Sequence, residues 1–151
     1  PKKSYERVTV NCPFSFEMND NAILNTANGC NLDIEYPGMK GTVYLTYQSV
    51  KKHNIDSLLY DAQKLTYDHT IKANNILEQP RVDPINDVYG MFYMIDGNAA
   101  TPSQFYVTDS VNHFITGSLY FKAKPNFDSI YPAIMYLRED IRVLMETIKW
   151  K

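Results

Sequence analysis

Histidine, cysteine and long apolar runs are scarce in this chain, and each scarcity removes a class of function. The three histidines, His53, His69 and His113, are far apart, and the two cysteines form no C-x-x-C pair. With no H-E-x-x-H helix and no EF-hand loop, the usual metal-ligand sets are missing and no metal site is expected. No apolar stretch approaches the roughly 20 residues that a membrane-spanning helix requires. Fifteen Lys and Arg against 17 Asp and Glu give a net charge of -2, with no block of one sign. That balance argues against a nucleic-acid partner and against a basic membrane patch. Six glycines are present, none in the G-x-G-x-x-G or P-loop arrangement that cradles a nucleotide phosphate, so no cofactor is expected. The opening PKKSYER has neither an initiator Met nor a signal-like apolar core, which places any export signal upstream.

What the chain has in quantity is aromatic surface. Twelve Tyr and seven Phe suit many half-buried positions with a wet hydroxyl end. A length of 151 residues with 44% hydrophobic content fits a single domain over 1–151. Cys12 and Cys30 either pair, if the fold brings their Cα atoms within about 7 Å, or act as two small buried hydrophobes.

Periodicity organises the rest. Val8 and Val10 alternate in a short strand, Pro13, Phe14 and Phe16 form an apolar patch, and 19–21 and 25–29 read as loops. Leu32, Ile34 and Tyr36, then Val43, Leu45 and Tyr47, alternate on either side of Pro37-Gly38, the pattern of an antiparallel hairpin. Residues 55–73 switch to three-to-four spacing, predicting a helix of about five turns capped by Asn54 or Asp56. The stretch 74–87, with two prolines, reads as an irregular connection holding at most a short edge strand at 76–78. Strands follow over 88–95, 104–109 and 113–124, the first apolar on both faces. From Ser129, a seam of Ile130, Ile134, Leu137, Ile141, Leu144 and Ile148 gives the clearest helix. The expected architecture is α+β: a mainly antiparallel sheet of about 5–7 strands sandwiched between two long helices, with both helices on one face as the alternative.

Chemistry is less legible. Ser103, Asp109 and His113 are the residue types of a hydrolase triad, but no G-x-S-x-G elbow aims the serine. Gly97 or Asn98 would supply positive φ in a turn at 96–98. His69 lies on the apolar stripe of the first helix, where a histidine is either a core residue or a site residue. Asp33 and Glu35 share one strand face, as acid-base partners or as a solvated pair. Arg138, Glu139, Asp140 and Arg142 read as a solvated helix face.

Five segments taken together carry a resemblance: CNLDIEYPGMKGTVYLTY at 30–47, LLYDAQKLTYDHTIKA at 58–73, VYGMFYMIDGNAATPSQFYVTDS at 88–110, HFITGSLYF at 113–121 and LREDIRVLMETIKW at 137–150. In this order the chain resembles the gliding motility lipoprotein GldD family. The residues falling in its most recognisable segments are His69, Thr70, Lys72, Asp96, Gly97, Asn98, Ala99, Ala100, Gln104, Phe105, Thr108, Asp109, Ser110, His113, Phe114, Arg138, Glu139 and Asp140. Thr116 stands where the family pattern carries a basic residue, and Cys12 where it carries Tyr.

The resemblance implies a noncatalytic lipoprotein of the cell envelope. It would face the periplasm, be anchored in the outer membrane by a lipidated cysteine upstream of Pro1, and be needed for gliding and the associated type IX secretion machinery. Its partners would be other proteins of that apparatus, and only the lipid anchor would touch membrane. An envelope hydrolase or a small-ligand-binding domain is the alternative. The small and polar side chains of the loop suit recognition of a partner's backbone, so Asp96, Gly97, Asn98, Thr101, Gln104, Asp109 and His113 are the expected contact residues.

Overall fold

Alternation of period two builds strands and three-to-four spacing builds helices, and the computed structural model follows both over residues 3–52, 54–68, 73–97, 101–122 and 127–151, which are the residues it describes. In chain order these are strands β1 (Tyr5–Thr9), β2 (Phe14–Asn19), β3 (Ile23–Asn28), β4 (Asn31–Tyr36) and β5 (Gly41–Ser49), helix α1 (Ile55–Asp68), strands β6 (Ala73–Asp83), β7 (Val88–Gly97), β8 (Ser103–Thr108) and β9 (His113–Phe121), helix α2 (Phe127–Glu146) and strand β10 (Lys149–Trp150).

The expectation of one sheet between two long helices is overturned. The strands divide into two antiparallel sheets, one of three strands in the order β1-β2-β10 and one of seven in the order β3-β4-β5-β9-β8-β7-β6. The cause lies at the chain ends. Lys149 and Trp150 return from α2 to pair with Ser15 and Phe14, and β1 pairs with the other edge of β2. The front of the chain is thereby drawn into a sheet of its own. That sheet and α2 together cover one face of the large sheet. Phe14 and Phe16 from β2, and Leu137, Ile141, Leu144 and Met145 from α2, share a core with Leu32, Ile34, Val43, Leu45, Phe92, Phe105, Val107, Ile115 and Leu119. Each such fully buried side chain contributes about 1.5–3 kcal/mol of transfer free energy.

Helix α1 covers Ile55–Asp68 of the expected 55–73; residues 69–72 lie outside the described residues and Ala73 belongs to β6. Asn54 caps the helix, its side-chain oxygen accepting the N–H groups of Asp56 at 2.8 Å and Ser57 at 3.4 Å. Leu58 and Ala62 pack with Phe114, joined by Tyr106. In the β8–β9 register Thr116 faces Tyr106 and Phe114 faces Thr108, so these rings lie on the sheet face opposite Phe105 and Val107. Beside them Tyr93 and Ile95 form a second apolar patch, which is why β7 is apolar on both sides.

Two strands arise where loops were expected. β3 occupies much of the predicted 25–29 loop and turns at Gly29, whose φ of 68° needs glycine's freedom. β6 is an edge strand of 11 residues rather than an irregular connection, pairing along its length with β7. Pro80, opposite Met91, is tolerated because at an edge its missing N–H can face away from the ladder.

Cys12 and Cys30, whose state the sequence leaves open, are joined by a disulfide with Cα atoms 5.7 Å apart. Cys12 follows β1 and Cys30 lies between β3 and β4, so the bond links the small sheet to the large one.

Candidate functional site

The expected contact residues are distributed along β8 and gather at its two ends. At the start of β8 the hairpin with β7 closes through the Ile95 N–H donating to the Pro102 carbonyl at 2.9 Å. Gly97 takes a φ of 99°, the left-handed geometry that favours glycine. Asn98 lies outside the described residues, as does His69.

One side chain organises this end. Arg138 of α2 is buried and reaches the hairpin with Nε and Nη2, while its Nη1 faces the Met135 sulfur at 3.8 Å. Its Nε donates to Ser103 Oγ at 3.3 Å, and its Nη2 to Ile95 O at 3.2 Å, Pro102 O at 3.3 Å and Asp96 Oδ1 at 3.1 Å. A planar five-donor fork can serve backbone and side-chain acceptors together, which a lysine could not. Thr101 Oγ1 donates to Ser103 O at 3.1 Å, and Thr101, Ser103 and Gln104 are all buried. Asp96 is the site residue here that keeps a substantial exposed surface, at 34%. Gln104 Oε1 is buried with no hydrogen-bond partner among the described residues.

At the other end, the β8–β9 turn is built around Asp109. Its Oδ1 accepts the backbone N–H groups of Val111 at 3.1 Å, Asn112 at 2.8 Å and His113 at 2.9 Å. Burial pushes its pKa up, but these three donors and the nearby His113 more than offset that, holding the carboxyl below its ordinary value. Thr108 Oγ1 bridges the turn, donating to His113 O at 2.5 Å and accepting the Ser110 N–H at 2.9 Å. This braces Ser110 at a φ of 71°, a conformation uncommon outside glycine.

His113 anchors an aromatic cluster at the same end. Its Nδ1 lies 2.6 Å from Tyr47 Oη, and its ring stacks on Trp150 with centroids 4.9 Å apart. Tyr47 also stacks on Phe14 at 5.7 Å. Burial first, and then the Asp109 charge, raise the Tyr47 pKa, so the phenol stays protonated. Trp150 Nε1 donates to Asp87 O at 2.8 Å. Tyr47 and Trp150 escaped the sequence reading as site residues because Tyr47 reaches His113 across the β5–β9 pairing and Trp150 through the pairing of β10 with β2.

The two ends do not form one surface. Asp109 and Ser103 are six residues apart on an extended chain, about 20 Å at ~3.3 Å per residue. Ser103, buried and bound by Arg138, is therefore remote from His113. The helix face read as solvated is corrected too. Like Arg138, Asp140 is buried, and its carboxylate accepts from Tyr5 Oη at 2.7 Å and Asn19 Nδ2 at 3.0 Å while pairing with Lys3 Nζ at 3.0 Å. Among the described residues no group of three His, Cys, Asp or Glu is placed to hold a metal ion, and no helix is long and apolar enough to cross a membrane.

The sequence profile of the gliding motility lipoprotein GldD matches residues 1–150, essentially the whole chain. The chain belongs to this family. Membership assigns it a role in gliding motility and the character of a membrane-anchored envelope lipoprotein. Arg138, Asp140, Asp109 and His113, which hold the two ends of β8 and the α2 seam in place, all fall in segments by which the sequence resembles the GldD family. Among curated proteins no relative matches the chain.

Proposed function

We propose that residues 1–151 act as one noncatalytic domain on the periplasmic side of the outer membrane, held there by an upstream lipidated cysteine. The domain serves gliding and the associated type IX secretion machinery by binding another protein of that apparatus. Two separate patches within 96–113 make the contact: Asp96 at one end of β8, where Thr101 and Gln104 are buried, and the 109–113 turn at the other. The Cys12–Cys30 bond is in keeping with an oxidising compartment such as the periplasm.

The observation that carries this reading is the β8–β9 turn. Val111 is 65% exposed at its tip, while Asp109 and Thr108 hold the backbone beneath it in one conformation. A rigid turn offering an apolar tip loses little entropy on binding, which is what a recognition element requires. A hydrolase would need Ser103 beside a base, and its neighbour is Arg138 instead.

Val111→Asp, introduced into the full-length protein in cells, tests the assignment. Surface changes of this kind alter stability by about 0.5 kcal/mol or less, so the melting temperature should hold while gliding and secretion fall. Normal gliding with the variant would overturn the turn as the contact. Loss of gliding in Ser103→Ala with an unchanged melting temperature would overturn the noncatalytic reading.

A further inference from the structure

Where the two sheets meet, the β2–β3 turn, the β4–β5 connection and α2 enclose a pocket of about 150 Å³ whose walls include Asn19, Asn21, Tyr36, Pro37, Met39 and Tyr136. The hydrogen-bond network behind it leaves donors over. Asn19 gives its amide to Tyr136 Oη at 3.1 Å and to Asp140 at 3.0 Å, while its Oδ1 accepts the Asn21 N–H at 2.9 Å. The Tyr136 hydroxyl therefore accepts a bond but donates none among the described residues. Tyr36 is more exposed to this imbalance: it is only 6% accessible, and its hydroxyl has no hydrogen-bond partner among the described residues. Unlike Arg81 Nε, Gln104 Oε1 and Arg142 Nε, that hydroxyl is not sealed from solvent. Burial first, and then the Asp140 charge and the phenols of Tyr5 and Tyr136, raise its pKa. The hydroxyl is thus protonated and stands on the Tyr136 side, where the pocket opens. An acceptor brought by a ligand would satisfy it.

We infer that this pocket receives one proline of an extended partner chain, the carbonyl before that proline accepting from the Tyr36 hydroxyl. The volume is below the roughly 300–1,000 Å³ of small-molecule pockets, which suits a single residue. The acceptor has to be uncharged. An anion would face the Asp140 carboxylate, and the ammonium of Lys3 is already held by Asp140 at 3.0 Å and by the Tyr136 carbonyl at 2.7 Å. A backbone carbonyl meets that requirement. The residue after it is best without an N–H, because the acceptors behind the pocket are taken: Asp140 by Tyr5, Lys3 and Asn19, and Asn19 Oδ1 by Asn21. Proline has no N–H, and the Tyr36, Pro37 and Tyr136 walls resemble the aromatic grooves that hold polyproline segments. Such a segment is already extended, so it loses little entropy on docking. The site is independent of the turn at 109–113, since Gly41, paired with Tyr36, and Ser49, paired with His113, close opposite ends of β5.

The test follows the tyrosine ring signals of the intact protein by NMR during titration with acetyl-Ala-Pro-Pro-Ala-amide, acetyl-Ala-Leu-Leu-Ala-amide and N-acetylglucosamine. The Pro peptide should shift the Tyr36 and Tyr136 signals saturably, and the Leu peptide should bind about tenfold more weakly or not at all. Tyr36→Phe, which keeps the ring, should weaken binding of the Pro peptide about fivefold, as expected for loss of one neutral hydrogen bond. No saturable shift with the wild-type protein would overturn the site. Equal binding of the Leu peptide would overturn the proline assignment, and equal or stronger saturation by the sugar would overturn a polypeptide as the ligand. Unchanged affinity in a folded Tyr36→Phe would remove the hydroxyl from the contact. The wild-type titrations decide the matter even if that variant fails to fold.

Discussion

The carboxylate of Asp140, buried on α2, lies 3.0 Å from the ammonium of Lys3 at the front of the chain. Tyr5 and Asn19 donate to the same carboxylate, and the Lys3 ammonium also sits 3.7 Å from the Tyr136 ring centroid. These contacts fasten the small sheet to α2 through a charge that has left water. Burial, then the hydrogen bond to Asp140, raise the Tyr5 pKa, which keeps the donor protonated. Asp140→Ala takes an acceptor from Tyr5, Asn19 and Lys3 at once, although Lys3 keeps the Tyr136 carbonyl and Asn19 the Tyr136 hydroxyl, and should cost about 3 kcal/mol. Urea denaturation should show the midpoint falling with little change in slope. Lys3→Met leaves the fully buried Asp140 carboxylate without its counter-ion and should cost a comparable amount, softened by the hydrogen bonds from Tyr5 and Asn19.

Arg138→Met removes four hydrogen bonds from the β7–β8 hairpin and takes the Arg138 donor from the Ile95 carbonyl and the Ser103 hydroxyl, while the Pro102 carbonyl keeps the Ile95 N–H. A loss of about 3 kcal/mol is expected. Hydrogen exchange should localise the loosening to 95–104. Asp96→Asn keeps the other three bonds and, with its partner partly exposed, should cost about 1 kcal/mol or less.

Asp109 gives a pH signature of definite sign. Its folded pKa is depressed, so its contribution is complete above the unfolded value of about 3.9 and is lost as pH falls through the lower folded value. Asp109→Ala should destabilise at neutral pH by about 1–2 kcal/mol through its lost N–H contacts. The difference in melting temperature between wild type and variant should shrink steadily below about pH 4. A gap that stays constant down to pH 2 would show that the carboxylate charge contributes nothing.

Replacing both Cys12 and Cys30 by Ala opens a loop whose ends are 18 residues apart. The entropic gain of the unfolded chain should lower stability by about 3 kcal/mol. Reduction of the native protein should bring the two samples to nearly the same denaturation midpoint.

The β4–β5 hairpin and the α2 seam were legible because each has one wet and one dry side, so Leu32, Ile34, Val43 and Leu45, or Leu137, Ile141 and Leu144, declare their period. β3 and β6 were hidden for the opposite reason. As the edges of the large sheet they carry Asn, Gln and Pro, residues that also write loops. The small sheet rests on Trp150 returning to Phe14, a pairing of distant segments without local signature. Arg138 and Asp140 interrupt the apolar seam as surface residues do, yet neighbours reach α2 on both flanks and bury them. At the site, Asp109 and His113 could be picked out by type and position, whereas the side chains that His113 meets, Tyr47 and Trp150, come from other strands.

Pro80 has a further consequence for a protein tethered by lipid. Copies confined to a membrane plane meet repeatedly side by side, where long open strands tend to zip together into fibrils. A proline midway along β6 leaves a gap in that zipper, so crowding can bring neighbours close without fusing their sheets.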